Sequence, residues 1–76
     1  MRELRFAKDL YEGTQVDAAV KVFERFGELK TTEADDAWVV TVDASSDARV
    51  RRLAGEIANY ALGLTIRGRG KDEEQG

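Results

Sequence analysis

The apolar positions of this chain follow two spacings, and the switches between them divide it into elements. Near the start, Leu4, Phe6 and Leu10 alternate with Arg5, Ala7 and Asp9, the period of two expected of a strand covered on one face. Tyr11-Glu12-Gly13 stops it. Val16, Ala19, Val20 and Phe23 then fall at helical spacing, with Phe26 beside the stripe and Lys21, Glu24 and Arg25 facing water. Thr14, three residues ahead of Asp17, has the form of a capping box. The pattern predicts a helix over about 14–26, ended by Gly27 in the left-handed conformation.

Leu29 to Glu33 is a weaker strand, joined by the polar connection Ala34-Asp35-Asp36 to the run Trp38-Val39-Val40-Thr41-Val42. A connection this short makes the two strands antiparallel. Five consecutive aromatic or β-branched residues suit an interior strand, and Asp43-Ala44-Ser45-Ser46-Asp47 ends it. Ser45 or Ser46 then caps a second helix whose stripe is Val50, Leu53, Ala54, Ile57, Ala61 and Leu64, with Tyr60 at its edge. Gly63 should end or bend that helix, leaving Leu64–Arg67 as a short fourth strand or a last ragged turn.

The order strand, helix, strand, strand, helix defines an α+β chain of β-α-β-β-α type. A right-handed crossover leaves a slot between the first two strands, and the most buried strand fills it. The expected architecture is a three-stranded sheet in order 1-3-2 with both helices on one face. Pairing of Leu64–Arg67 as a fourth strand would make it ferredoxin-like. Trp38, Val40 and Val42 would face the helices. Ala7, Val39, Thr41, Lys30 and Thr32 would line an uncovered face, a surface that invites a second copy or a peptide strand. The domain spans 1–67, and 68–76, without an apolar residue, reads as a disordered charged tail.

Composition narrows the chemistry. The chain has 76 residues, 42% hydrophobic and 36% charged, with a net charge of -3. It suits one small core and leaves little room for a deep pocket. There is no Cys, His or Pro, which removes disulfides, thiolate metal sites and the commonest general base and metal ligand. No stretch approaches the ~20 apolar residues of a membrane span, and none resembles a signal peptide. A cytoplasmic protein without metal or cofactor is expected.

The acidic pairs Asp35-Asp36 and Asp72-Glu73-Glu74 lack the spacing of a calcium loop or catalytic dyad and read as solvated. Arg49, Arg51, Arg52, Arg67 and Arg69 form the basic concentration, an alternative nucleic-acid surface for a ferredoxin-like domain. The net negative charge and the acidic residues nearby weigh against it. Gly68 and Gly70 lack the strand-to-helix setting of a phosphate loop. Trp38 at the strand's rim, Tyr11 and Tyr60 are either core-edge aromatics or anchors for a partner, and Val39 and Thr41 would offer the outward face of the central strand.

One stretch carries a resemblance. Gly55-Glu56-Ile57-Ala58-Asn59-Tyr60-Ala61-Leu62, with Ile66-Arg67 after it, resembles the C-terminal signature of HxsD-like proteins: an acid, two apolar residues, Asn, a Leu-rich turn and a Leu-Arg ending. Asp9-Leu10-Tyr11, an Ala-containing helix with Phe23 and Phe26, and a following strand pair agree with it, so the similarity spans residues 4 to 67. Asn59 is the polar match. These are small components of His-Xaa-Ser peptide-maturation systems. The resemblance implies a non-catalytic accessory protein that binds a peptide or protein partner beside a radical SAM maturase in ribosomal-peptide modification. It carries over no catalytic residues. The resulting expectation is a binding module, monomeric or dimeric, using Trp38, Val39, Thr41, Tyr11, Tyr60 and Asn59.

Overall fold

A computed structural model describes residues 1–75, with side chains described for 1–67. The order is β1 (Arg2–Ala7), α1 (Gly13–Phe23), a 3₁₀ turn (Glu24–Phe26), β2 (Glu28–Glu33), β3 (Ala37–Asp43) and α2 (Asp47–Gln75). The sheet runs β1-β3-β2, both pairings antiparallel. The expected α+β topology and strand order are therefore the observed ones.

Two bonds at the strand ends fix which backbone groups point where. Lys8 N–H donates to Asp36 O at 3.0 Å and Ala34 N–H to Ala37 O at 2.9 Å. Antiparallel ladders alternate along the strand. Trp38, Val40 and Val42 therefore bond to β1, while Val39 and Thr41 bond to β2. Backbone groups of Glu3, Arg5 and Ala7 point outward along the free edge of β1, and those of Leu29, Thr31 and Glu33 do so along β2.

The core lies between the sheet and the helices. Phe6, Val40 and Val42 from the sheet meet Val16, Ala19 and Val20 of α1 and Val50, Leu53, Ala54, Ile57 and Ala61 of α2. Val16, Val40, Val42 and Ile57 are fully buried, each adding roughly 1.5–3 kcal/mol relative to exposure. Of the two expected caps of α2, Ser45 and Ser46, it is Ser46 whose Oγ accepts the Arg49 N–H, at 3.2 Å. Among the described residues no buried side-chain polar atom lacks a partner, and no helix is long and apolar enough to cross a membrane.

Several expectations are corrected. Leu64–Arg67 is neither a fourth strand nor a ragged turn but a continuous part of α2, so the sheet stops at three strands and the ferredoxin-like completion does not form. The cost of Gly63 in a helix, about 1 kcal/mol, is outweighed because the next turn packs: Thr65 is buried and Leu64 half-buried. Gly27 is fully extended, φ −177°, rather than left-handed. Its role is close approach, since a Cβ there would lie 2.6 Å from Asp43 O and 2.7 Å from Leu53 Cδ2. The helix expected over 14–26 starts at Gly13 and tightens into the 3₁₀ turn after Phe23.

The α1 cap also lies two residues earlier than Thr14. Glu12 is the N-cap, and its N–H donates to Gln15 Oε1 at 3.1 Å. Leu10 falls outside β1 and is exposed. The expected charged tail from 68 onward falls where side chains lie outside the described residues, and Gly76 lies outside them altogether.

Candidate functional site

Two helices packed side by side leave a seam between them, and three of the six aromatic residues of this chain, Phe23, Phe26 and Tyr60, meet there. Phe23 at the end of α1 meets Tyr60 of α2 edge-on, with ring centroids 5.8 Å apart. Phe26 follows, its ring 6.4 Å from Phe23, but 57% exposed. The 3₁₀ turn brings Phe26 to this seam by tightening the chain after Phe23, and Val22 beside it is also exposed. Phe23 and Tyr60 rest against the core; Phe26 does not.

Next to the Phe23–Tyr60 pair is an open depression of about 480 Å³, lined by Phe23, Glu56, Asn59, Tyr60, Gly63 and Arg67. Its floor is low because Gly63 has no side chain; a Cβ there would reach Arg67 at 3.7 Å. Arg67 Nε donates to Gly63 O at 3.4 Å, and Glu56 is 3.9 Å from Arg52. The groove thus joins an aromatic wall to one carboxylate, one guanidinium and the exposed Asn59 amide. Such a surface can seat an apolar or aromatic side chain and bond the polar backbone around it.

Of the residues expected to bind a partner, Tyr60 and Asn59 lie here together. Trp38 and Tyr11 do not, and their surroundings explain both as framework. Trp38 Nε1 donates to Tyr11 O at 3.3 Å, Lys8 Nζ stands 4.7 Å above the ring, and a Cβ on Gly13 would lie 3.0 Å from it. The Tyr11 ring meets Phe6 edge-on at 5.1 Å. Together they tie the loop between β1 and α1 to the sheet.

The uncovered sheet face is more polar than its alternation suggests. Val39 is 7% exposed, set between Arg5 and Thr32 of the neighbouring strands. Thr41 turns its hydroxyl to Lys30 O at 3.3 Å. Glu3, Arg5, Glu28, Lys30 and Thr32, with the small Ala7, are exposed on this face. Val39 and Thr41 therefore offer little to a partner.

The arginines do not form one patch. Arg49 borders Phe26 and Glu28, Arg51 borders Met1 and Arg2, Arg52 faces Glu56 and Arg67 is in the groove. The side chain of Arg69 lies outside the described residues. Among the described residues no cluster of acids could hold a metal ion.

Phe26, Glu56 and Gly63 were not singled out by sequence as parts of a site. The signal available for Phe26 was its place as an aromatic one step off the α1 stripe. The chain matches no family model, no curated protein and no solved structure.

Proposed function

We propose that this chain is a non-catalytic binding module that recognises a peptide or protein partner through the aromatic seam between α1 and α2. The observation that carries the reading is Phe26, a large aromatic 57% exposed beside the Phe23–Tyr60 pair. Leaving that ring in water forgoes its hydrophobic burial energy, roughly 1.5–3 kcal/mol when complete, which a partner can recover. The resemblance to HxsD-like proteins supplies the class of partner: a precursor peptide or radical SAM maturase of ribosomal-peptide modification, met in the cytoplasm. Aromatic anchors in a shallow pocket with polar groups at the rim are how such contacts gain affinity.

The test is isothermal titration of the full chain with any precursor peptide and any radical SAM maturase found encoded beside its gene. Phe26→Ser and Tyr60→Ala should each weaken binding at least tenfold, a loss of roughly 1.4 kcal/mol or more. Phe26→Ser should leave the melting temperature almost unchanged. Absence of binding to either protein would overturn the maturation reading, and binding indifferent to both substitutions would remove the seam from it.

A further inference from the structure

We propose that the free edge of β1 pairs with β1 of a second copy, antiparallel about a two-fold axis through Leu4. The sheet would then continue as β2-β3-β1 followed by its mirror order in the partner. Three independent features of the chain point to this occupant.

The backbone fits first. The outward N–H and C=O groups of β1 belong to Glu3, Arg5 and Ala7, as the Lys8–Asp36 bond requires. A two-fold centred on Leu4 sets Glu3 opposite Arg5 of the partner and Arg5 opposite Glu3. Each of these becomes a hydrogen-bonded pair exchanging both bonds, and no group that serves β3 is disturbed. The strand carries no proline and its register with β3 runs unbroken from Arg2 to Ala7, so neither a missing donor nor a bulge interrupts the edge, and its charges are of both signs.

Charge then selects the register. On the uncovered face the Leu4-centred pairing places a carboxylate beside a guanidinium twice. Moving the axis by one residue in either direction sets Glu3 against Glu3 or Arg5 against Arg5, which is unfavourable across a strand pair. Five residues, Arg2 to Phe6, stay paired within the strand bounds. The edge of β2 does worse: its one opposite-charge register, Glu28 with Lys30, centres on Leu29 and retains only three residues of strand.

Third, helix periodicity puts an exposed apolar side chain on the flank of α2 that starts beside Met1 and Arg2. Arg51 borders Met1 and Arg2, so its flank of α2 lies above β1, away from Tyr60. Leu62, about three turns further along that flank, is 45% exposed. A second copy joined at β1 brings its own Leu62 to the same side of the sheet.

The measurement is the solution mass of the full chain by light scattering and sedimentation equilibrium. Twice the 8.5 kDa chain mass is expected. Arg5→Glu and Glu3→Arg should each weaken association roughly tenfold or more, because each sets like charges opposite one another twice. The double variant E3R/R5E should restore the dimer. Both side chains are more than half exposed, and circular dichroism will establish that each variant is folded. Lys30→Glu, on the other edge, should leave the mass unchanged. A chain that stays monomeric into the high micromolar range, a double variant that fails to re-associate, or a dimer dissociated by Lys30→Glu alone would each overturn the proposal.

Discussion

The side chains of Gln15 and Thr65 meet at 3.0 Å across fifty residues of sequence. Thr65 is the one buried polar side chain among the described residues. Its hydroxyl lies within reach of both Gln15 Oε1 and Ala61 O, the latter at 2.9 Å. Gln15 in turn accepts the Glu12 N–H that opens α1. The start of α1 is thereby pinned to the later part of α2, so a cap and an interhelical contact share one oxygen.

This pairing makes the first prediction. Thr65→Val keeps the volume but loses the hydroxyl, and should cost about 0.5–1.5 kcal/mol. Gln15→Ala removes the same contact together with the cap. A double-mutant cycle by urea unfolding should therefore show clear coupling, about 0.5 kcal/mol or more. Strict additivity would mean that the contact contributes nothing to stability.

The glycines give opposite expectations. A Cβ at Gly27 would stand 2.6 Å from Asp43 O, an overlap with backbone that nothing nearby can relieve cheaply. Gly27→Ala should destabilise by about 1–3 kcal/mol. Gly55 is exposed within α2 and a Cβ there meets nothing within 4 Å. Gly55→Ala should stabilise by roughly 0.5–1 kcal/mol through helix propensity alone. Parallel thermal melts will check both signs.

Ser46→Ala removes the acceptor for the Arg49 N–H and should cost about 1 kcal/mol. Ser45→Ala, lacking that bond, should change little. Chemical denaturation of the pair separates the cap from its neighbour.

Trp38→Phe deletes the hydrogen bond to Tyr11 O and the ring surface against Gly13. A loss of about 1–3 kcal/mol is expected, yet partner affinity at the seam should stay the same, since the indole lies outside the groove. Equal loss of affinity would return Trp38 to the binding surface.

How much of this was legible in the chain follows from the range of each interaction. The central strand, the 1-3-2 order and the serine cap of α2 rest on local pattern plus one crossover rule, and all are found. The fourth strand failed because Gly63 and the β-branched pair Thr65 and Ile66 argue locally against a helix, while the deciding contact, Gln15 with Thr65, is remote in sequence. Thr14 and Asp17 made a plausible cap, but Glu12 and Gln15 offered another two residues earlier, and local pattern could not rank them. Gly27 was identified as special for the wrong reason: a left-handed turn can be anticipated from helix grammar, whereas a carbonyl arriving from β3 cannot. Of the residues lining the candidate groove the sequence named Tyr60 and Asn59, but the seam that unites them with Phe23 and Phe26 exists only once the helices are packed.

The alternation of β3 also sets an order in time. Val39 and Thr41 bond to β2 across the short turn at 34–36, whereas Val40 and Val42 bond to a strand whose residues Leu4 and Arg2 lie far back in the chain. Closing a hairpin takes microseconds; bringing in β1 requires a longer loop and the packing of both helices. Neighbouring amides of one strand should therefore gain protection at different moments, Val39 and Thr41 before Val40 and Val42, as pulsed hydrogen exchange during refolding would record. The strand at the middle of the sheet is thus completed from one side first, and the amino-terminal strand is the piece that closes the fold.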